Sequence, residues 1–331
     1  MGKKSGRGFE HLEVYRLAED RASALAFLAD LFPRLDAWHA YLYRERDRFG
    51  DGLIEIWHPW ESGMDNSPLW DAALDRLTLT KEQVPEYRRV DTTVIDPAER
   101  PTNAEYDRYA YFVKLYRDCR YDGGCIRESC PFVMHDVLFN SLLVQANRDL
   151  SEIAEILGED AGRYRDWESR TARSVDDRLW DPEAGTYFDA DVVIEERVPV
   201  RSAASLAPLY AGIPEAERAA RLLAANRDLI VPVAEGSAVA SIGVADPAFE
   251  PARYWRGPVW PMLNWVAYRG LKRYGYAQEA AEVRAGFIEL VRREGFWEHY
   301  NPLTGSGQGA PQFAWTAGLV LDLLAAGDAR V

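Results

Sequence analysis

The stretch HDVLFNSLLVQANRDLSEIAEILG, residues 135–158, is the part of the sequence that says most about the fold. It has the spacing of a long α-helix, and its apolar residues cover most of the helix surface. A helix that is apolar on most faces is normally buried among other elements. The stretch therefore predicts a large core built mainly from helices.

Helical periodicity continues on both sides of this stretch. Upstream, Leu17 and Leu25 fall on one apolar stripe, Pro33 suits the first turn of a second helix, and Ser67 followed by Pro68 marks a helix start. Downstream, amphipathic segments recur as far as residue 325. Summed over the chain, the pattern predicts about eleven helices. No shift in composition marks a linker, so we expect one domain over residues 1–331.

One loop theme recurs after helices. The segments GLIEIWHPW (52–60), RLWDPEAGTYFDAD (178–191) and GFWEHYNPLTG (295–305) each combine aromatic residues, acids, and a Gly or Pro turn. Paired helices whose connecting loops share this chemistry suggest a toroid of helices with a site at one end. The prediction is an all-α toroid with aromatic and acidic loops around its site.

Composition and charge exclude several classes of function. The formal charge of −14 argues against nucleic acid, which is bound through Lys and Arg. The most apolar stretch, residues 313–327, is too short to span a bilayer and carries Asp322, and the N-terminus lacks an apolar signal segment. Cys119, Cys125 and Cys130 form no CxxC pair, so we expect reduced thiols and a cytoplasmic protein, with one disulfide among the three as the alternative that stays open.

Two carboxylates are candidates for acid–base chemistry. Asp65 lies in WHPWESGMDNSPLWD, residues 57–71, and Glu298 lies in the third aromatic loop. Each has an ordinary structural explanation: Asp65 can cap the helix that follows, and Glu298 can be a solvated loop acid. Glycoside hydrolysis needs two carboxyl groups on opposite sides of the sugar, and aromatic faces stack on sugar rings. The tryptophans divide accordingly: Trp57 and Trp60 are expected beside Asp65, while Trp70 is expected in the core.

Other chemistries have little support in the sequence. The five histidines show no metal-ligand spacing, so neither a metal nor another cofactor is predicted. The run of Gly305, Gly307 and Gly309 has no preceding strand and no Lys-Ser/Thr, which favours a lid or tight loop over a phosphate loop. In YWRGPVWPMLNW, residues 254–265, the spacing makes Trp265 a core residue and leaves the earlier aromatics as a cleft wall.

Four blocks in order resemble bacterial members of glycoside hydrolase family 63, in the group of mannosylglycerate and glucosylglycerate hydrolases. They are HPWESGMDNSPLWD (58–71), ERPTNAEYDRY (99–109), YWRGPVWPMLNW (254–265) and FWEHYNPLTGSGQGAPQFAWTAGLVLDLL (296–324). The resemblance implies an (α/α)6 barrel and hydrolysis with inversion. It also implies that the family has further helices before the point where this chain begins, so the barrel is expected to be incomplete at its N-terminus.

The resemblance also assigns roles to individual residues. It implies that Asp65 is the general acid and Glu298 the general base. The remaining implied contacts are with substrate: the sugar pocket is lined by Trp60, Tyr254, Trp255 and Trp260, the glycerate is gripped by Arg100 and Tyr106, and Gln312 adds a polar contact. A chain of charge −14 that binds an anionic glycerate needs a local arginine, which agrees with Arg100.

Three alternatives stay open at this stage. An α-glucosidase of trehalase or oligosaccharide type would use the same barrel, and Arg100 should then be dispensable. A non-catalytic sugar-binding remnant would bind without turnover. Epimerase chemistry would need histidines as proton shuttles, which the scattered positions do not favour. The expected partner in each case is a small sugar, with a homo-oligomer possible if apolar helix faces are left open.

Overall fold

The computed structural model describes residues 7–328, and this part of the chain is mainly helical. Thirteen α-helices occur within these residues: α1 (Arg7–Leu17), α2 (Arg21–Tyr41), α3 (Pro59–Ser62), α4 (Asp71–Asp75), α5 (Asn103–Asp118), α6 (Gly123–Ser129), α7 (Val137–Leu157), α8 (Gly162–Ser174), α9 (Ala207–Ala211), α10 (Ala216–Ala225), α11 (Pro261–Arg273), α12 (Ala277–Glu294) and α13 (Ala314–Asp328). None of these helices has the length and apolarity needed to cross a membrane.

Helix α7 is central to the first half of the fold. Asp136 begins it by accepting a hydrogen bond from the backbone N–H of Phe139 at 2.6 Å, and Gly158 ends it in the left-handed conformation that glycine adopts easily. Most of its residues are buried, since it packs against α1, α2, α8 and α9. The predicted helix over residues 135–158 is therefore confirmed as a buried core helix.

Helices α9, α11, α12 and α13 pack together in the second half. Pro261 occupies the first turn of α11, where its missing N–H costs nothing. Gly270 lies where α11 crosses α9, and a Cβ at this position would come within 2.8 Å of Leu209 and of the backbone of Tyr210. The close approach of these two helices therefore depends on a residue without a side chain.

Short strands connect the helices at several places: β1 (Glu55–Ile56), β2 (Met134–His135), β3 (Trp180–Asp181), β4 (Thr186–Tyr187), β5 (Ala190–Asp191), β6 (Glu196–Arg197), β7 (Ile230–Pro232), β8 (Ser237–Val239), β9 (Trp297–Tyr300) and β10 (Gly307–Pro311). Strands β1, β2, β5 and β6 form one sheet in that order, and the others pair as hairpins. The three aromatic loops of the sequence supply β1, the β3–β5 segment and β9, so they are short strands rather than open coil.

The N-terminal helices differ from the prediction. Helix α1 ends at Leu17, and Asp20 caps a new helix that runs without a break through Pro33. The apolar stripe is therefore interrupted: Leu28 is buried, whereas Leu17 and Leu25 are exposed. Pro33 is an interior residue of α2, not the start of a helix. The prediction failed because it carried one helical phase across a break that the cap at Asp20 resets.

The cysteine prediction is also corrected. Cys119 and Cys125 form a disulfide, and Cys130 is a buried free thiol. After α5 ends, Arg120 and Tyr121 both have positive φ and reverse the chain, which brings the two cysteines together. The six-residue spacing alone did not reveal this turn, because both residues are of types that rarely adopt that conformation.

Candidate active site

Backbone hydrogen bonds join the aromatic segment 254–260 to strand β9 at the site. The N–H of Val259 donates to the carbonyl of Tyr300 at 2.8 Å, and the N–H of Tyr300 donates back at 3.0 Å. This bridge fixes the aromatic segment 254–260 beside β9, the strand that carries Glu298. The two blocks that the sequence analysis singled out are therefore neighbours in space.

Glu298 is buried in the β9–β10 hairpin. Its carboxylate accepts two hydrogen bonds from Arg100, at 3.3 Å to Oε1 and 2.5 Å to Oε2, and Oε2 also accepts the N–H of Ala310 at 3.1 Å. Gly309 has φ of +72°, and a Cβ there would lie 2.6 Å from Oε2. The glycine run is thus a tight hairpin packed against the acid, which was one of the two expectations for it.

Arg100 is the direct partner of Glu298. It follows a short turn at Pro97–Glu99 and is only 6% exposed. Its guanidinium lies 4.7 Å from the centre of the Tyr254 ring, a cation–π distance. Its Nε is buried and has no hydrogen-bond partner among residues 7–328. The role predicted for Arg100 was to grip glycerate, and the structure shows that part of its donor capacity is already used by Glu298.

Asp65 is half-buried and directly precedes the helix start at Ser67 and Pro68. The hydroxyl of Tyr109 donates to its backbone carbonyl at 2.6 Å, which ties the Asp65 loop to α5. The next residue is tied down as well: Asn66 donates to Glu105 at 2.8 Å, and Arg253 donates to the same carboxylate at 2.6 Å. The Asp65 loop is thereby connected to the residue before Tyr254.

Tyr254 is the residue that relates the two acids. Burial raises its pKa well above the ordinary value for tyrosine, and the negative charges of Asp65 and Glu298 both raise it further. Both carboxylates therefore lie near one phenol, although they are far apart in sequence. The φ of Tyr254 is +39°, which is rare for a bulky residue and is often found at functional sites.

Trp60 and Tyr106 form an aromatic wall on the Asp65 side. Their ring centres are 6.2 Å apart in an edge-to-face arrangement, and Arg89 lies over Tyr106 at 4.1 Å. Burial raises the pKa of Tyr106, and the charges of Asp91 and Asp65 add to this effect. A cavity of about 470 Å³ opens beside Trp60 and Tyr106, so both side chains border accessible space.

Trp255 and Trp260 differ from their predicted role as pocket-lining residues. Both are 1% exposed, and their rings stack on each other with centres 3.6 Å apart. Trp260 also donates through its indole N–H to the backbone carbonyl of Tyr254 at 2.8 Å. In this structure the pair lies behind Tyr254 and supports it. Of the three predicted wall residues in this segment, only Tyr254 is partly exposed.

The positions of two other predicted residues also follow from the structure. Gln312 is exposed immediately after β10, has φ of +55°, and follows Ala310 by two positions. Trp57 is buried and donates its indole N–H to Glu55 at 2.9 Å, so it is a core residue and not part of the wall beside Asp65. Trp70 is buried as predicted.

Sequence reasoning missed three groups of the site. Tyr109 holds the Asp65 loop, Ala310 donates its N–H to Glu298, and His299 lies buried against Trp260 with ring centres 4.8 Å apart. Burial, followed by the positive charge of Arg100, lowers the pKa of His299 to about 3. Tyr109 is one helical turn from Tyr106, so the spacing on α5 could have identified it. A backbone donor such as Ala310 leaves no signal in side-chain patterns.

Known proteins resemble this chain over nearly its full length. The sequence model of the mannosylglycerate hydrolase MGH1-like glycoside hydrolase domain matches residues 10–316. A mannosylglycerate hydrolase of Rubrobacter radiotolerans is 44% identical over 96% of this chain and 72% of its own length. A glucosylglycerate hydrolase of Mycolicibacterium hassiacum is 36% identical over 96% of this chain and 72% of its own.

A solved structure is similar as well. The crystal structure of the family 63 mannosylglycerate hydrolase from Thermus thermophilus, in complex with Tris and D-glycerate, has a TM-score of 0.91 and 39% identity. The match covers 97% of this chain and 76% of that one. The likeness confirms the predicted (α/α)6-barrel class. The family match and the relatives named above define the chain as a glycosidase.

The chain belongs to the mannosylglycerate hydrolase MGH1-like domain family, within glycoside hydrolase family 63. The resemblance predicted from four sequence blocks is therefore confirmed. Within residues 7–328 the structure shows no group of three or more His, Cys, Asp and Glu side chains that could hold a metal ion.

Proposed function

We propose that this protein hydrolyses the α-glycosidic bond of mannosylglycerate or glucosylglycerate, with inversion at the anomeric carbon. The relatives named above are hydrolases of these two compounds, and the similar solved structure is a complex with D-glycerate. Their shared chemistry is a neutral hexose joined to a small carboxylate. The proposed substrate has the same chemistry.

Asp65 and Glu298 carry the proposed reaction. The Asp65 carboxyl donates its proton to the glycosidic oxygen as the bond from that oxygen to the anomeric carbon breaks. A water molecule attacks the anomeric carbon from the opposite face, and the Glu298 carboxylate takes one of its protons. The products are the β-hexose and glycerate, and the proton passes back from Glu298 to Asp65 through solvent. In inverting enzymes about 6.5–9.5 Å separates the two carboxyl groups, which leaves room for water.

The observation that carries the proposal is the buried cation at this acid pair. Arg100 is held against Glu298 and Tyr254, and its Nε–H has no acceptor within the described protein. A buried donor without an acceptor is costly, so an acceptor supplied by the substrate is expected. A carboxylate is the strongest such acceptor for a guanidinium. The glycerate half of the substrate supplies this group, and a neutral disaccharide does not.

The other residues position the sugar in this proposal. Trp60 and Tyr254 offer aromatic faces and edges to the hexose, Tyr106 contacts the glycerate together with Arg100, and Gln312 supplies a polar contact from the end of β10. Trp255 and Trp260 act indirectly, because they hold Tyr254 in its unusual backbone conformation.

We also propose that residues 1–331 act as one catalytic domain. One hydrophobic core extends from Leu42 to Leu323 and contains residues from α7 and from α11, which supports this proposal. A smaller cluster joins α1 and α2 to the same helix α7. A cytoplasmic location stays a prediction, and the Cys119–Cys125 disulfide does not support the reduced thiols on which it rested.

Proton NMR of the purified protein with mannosylglycerate and with glucosylglycerate tests the function. The expected result is initial release of the β-anomer from one or both α-linked substrates, with the signal absent in Asp65→Asn and Glu298→Gln. Initial release of the α-anomer would contradict inversion. A folded, monodisperse protein that cleaves neither compound would contradict the proposed substrate class.

A further inference from the structure

We propose that Arg100 couples the substrate to the general base: one guanidinium is shared between Glu298 and the carboxylate of the substrate, so that substrate charge activates the base. The inference rests on the proposed function and deepens it. It makes Arg100 a positioning residue that acts on the chemical step through Glu298, in addition to being a binding residue for the glycerate half.

Arg100 uses only part of its donor capacity on Glu298. A guanidinium has five N–H groups in a planar fork. The end of the fork, Nη1 and Nη2, faces Glu298 at 3.3 and 2.5 Å. The Nε–H on its side edge is buried and has no partner in the part of the chain that the structure describes. The side edge can therefore accept a second carboxylate without displacing the first.

The two carboxylate oxygens of Glu298 accept different hydrogen bonds. Oε2 accepts from both Arg100 and the N–H of Ala310, which occupies its two lone pairs. Oε1 accepts a single, longer bond of 3.3 Å from Arg100. We infer that Oε2 is the anchoring oxygen and that Oε1 receives the proton from water. A ligand that moves Arg100 or weakens its hydrogen bond to Glu298 therefore acts on Oε1, the oxygen that takes the proton.

The positive charge of Arg100 links the substrate carboxylate to Glu298. With a neutral ligand, the carboxylate in direct contact with Arg100 is that of Glu298, while Asp91 also acts electrostatically on the same cation, and the attraction between Arg100 and Glu298 opposes the transfer of a proton to Glu298. When a substrate carboxylate binds the side edge, the same cation is shared by two anions. Protonation of Glu298 then becomes easier, because it leaves one cation paired with one anion. The anionic substrate thus promotes the proton transfer that hydrolysis requires.

This coupling differs from a simple clamp in what it changes. A clamp that binds ground state and transition state equally alters KM and leaves kcat unchanged. Coupling through Glu298 alters kcat, and it also moves the acid limb of the kcat–pH profile, which reports ionisation in the enzyme–substrate complex.

The test compares two α-linked substrates that carry the same hexose: the hexosylglycerate and the neutral hexosylglycerol, in which a CH₂OH group replaces the carboxylate. With the unaltered protein we expect kcat at saturation to be at least about tenfold lower for the hexosylglycerol. Its acid limb should also lie at lower pH. Equal kcat values and superimposable pH profiles, with a difference in KM alone, would overturn the coupling. The hydrolysis of the hexosylglycerate itself tests the proposed function separately.

Variants of Arg100 sharpen the test. In Arg100→Gln the kcat ratio between the two substrates should fall to near one. In Arg100→Lys the KM for the hexosylglycerate should partly recover, but the kcat ratio should stay near one, because an ammonium cannot hold two carboxylates in a planar fork. A ratio that survives in Arg100→Gln would overturn the proposal. Arg46→Gln, at another buried arginine–glutamate pair, is the control for loss of stability.

Discussion

Two arginine–glutamate pairs in this protein look alike and differ in which nitrogens of the arginine have a hydrogen-bond partner. Arg46 binds Glu61 through two hydrogen bonds, at 3.0 and 2.8 Å, and lies 3.7 Å from the Trp57 ring. Arg100 binds Glu298 through two hydrogen bonds and lies over Tyr254. Both arginines are less than a tenth exposed. The two arginines are matched in burial, whereas the Glu61 side chain is 26% exposed and the Glu298 side chain 9%.

The difference lies in the remaining donors. Arg46 also donates from Nε to the Tyr41 hydroxyl and from Nη1 to the Glu55 carbonyl. The Nε of Arg100 has no partner among residues 7–328. A buried ion pair in which every guanidinium nitrogen has a partner is structural, whereas one that leaves a buried nitrogen without a partner has capacity for a ligand. The distinction does not depend on the strength of either pair, which is why counting ion pairs would not separate them.

The comparison predicts its largest effect on turnover. Glu298→Gln should lower kcat by about 10²–10⁴-fold, the usual contribution of a general base, because an amide cannot take the proton from water. Glu61→Gln is the matched change at the structural pair and should leave kcat within a factor of a few. Steady-state kinetics on the hexosylglycerate measures both. Equal losses in the two variants would mean that the pairs do not divide into a structural and a functional one.

The reverse effect is expected on stability. Arg46→Gln should lower the free energy of unfolding by about 1.5–3 kcal/mol, because it leaves the Glu61 carboxylate, which is 26% exposed, without its charged hydrogen-bond partner. Urea denaturation followed by circular dichroism measures this. The kcat of the folded fraction should change little. If Arg46→Gln instead removed activity from a protein of unaltered stability, Arg46 would belong to the site.

A glycine beside Glu298 gives a smaller effect that is specific to position. Gly309→Ala should lower kcat by up to about 10²-fold, the size expected when a reacting group is displaced by about 1 Å, because the new Cβ would meet Glu298 Oε2 at 2.6 Å. Gly275→Ala is the control: its φ of +78° carries similar strain, and its Cβ would meet nothing within 4 Å. Both changes should cost stability, and only Gly309→Ala should reduce kcat in the folded protein.

The smallest expected effect is a change in how steeply stability depends on pH. Burial acts to raise the pKa of Glu61, but the adjacent Arg46 charge lowers it below the ordinary value. The pair therefore stabilises the fold above the unfolded pKa of about 4.3, and this contribution is lost as pH falls through the lower folded pKa. The urea midpoint measured as a function of pH should decline less steeply on the acid side in Glu61→Gln. An unchanged slope would contradict the prediction.

A carboxyl held by burial should show the opposite sign. Burial raises the pKa of Asp189 to about 7. Its contribution is therefore present below the unfolded pKa of about 3.9 and is lost as pH rises through about 7. Asp189→Asn keeps an oxygen that can accept the N–H of Val137 and should make this decline less steep; the part that remains comes from the adjacent Asp136, whose pKa is raised by burial as well. Superimposable urea-midpoint profiles for the variant and the unaltered protein would contradict it.

Much of the fold and the family could be predicted from the sequence. Helix existence followed from periodicity because helix spacing is local, and α7 occurs where the pattern predicted a long helix. The family followed from four ordered blocks. The predictions of one apolar stripe across Asp20 and of a helix start at Pro33 were wrong. A break of three residues is decided by capping and packing rather than by apolar spacing, and α2 runs through Pro33.

The sequence by itself determined the helical class, singled out Asp65 and Glu298 by residue type and neighbours, and added Arg100 through the family resemblance. Only the tertiary structure decided how these residues are used. It paired Arg100 with Glu298, set Trp255 and Trp260 behind Tyr254, and left the Nε of Arg100 without a partner in the described part of the chain. Local patterns arise from hydrogen bonds and side chains a few residues apart, whereas an ion pair between distant segments exists only when the whole chain has folded.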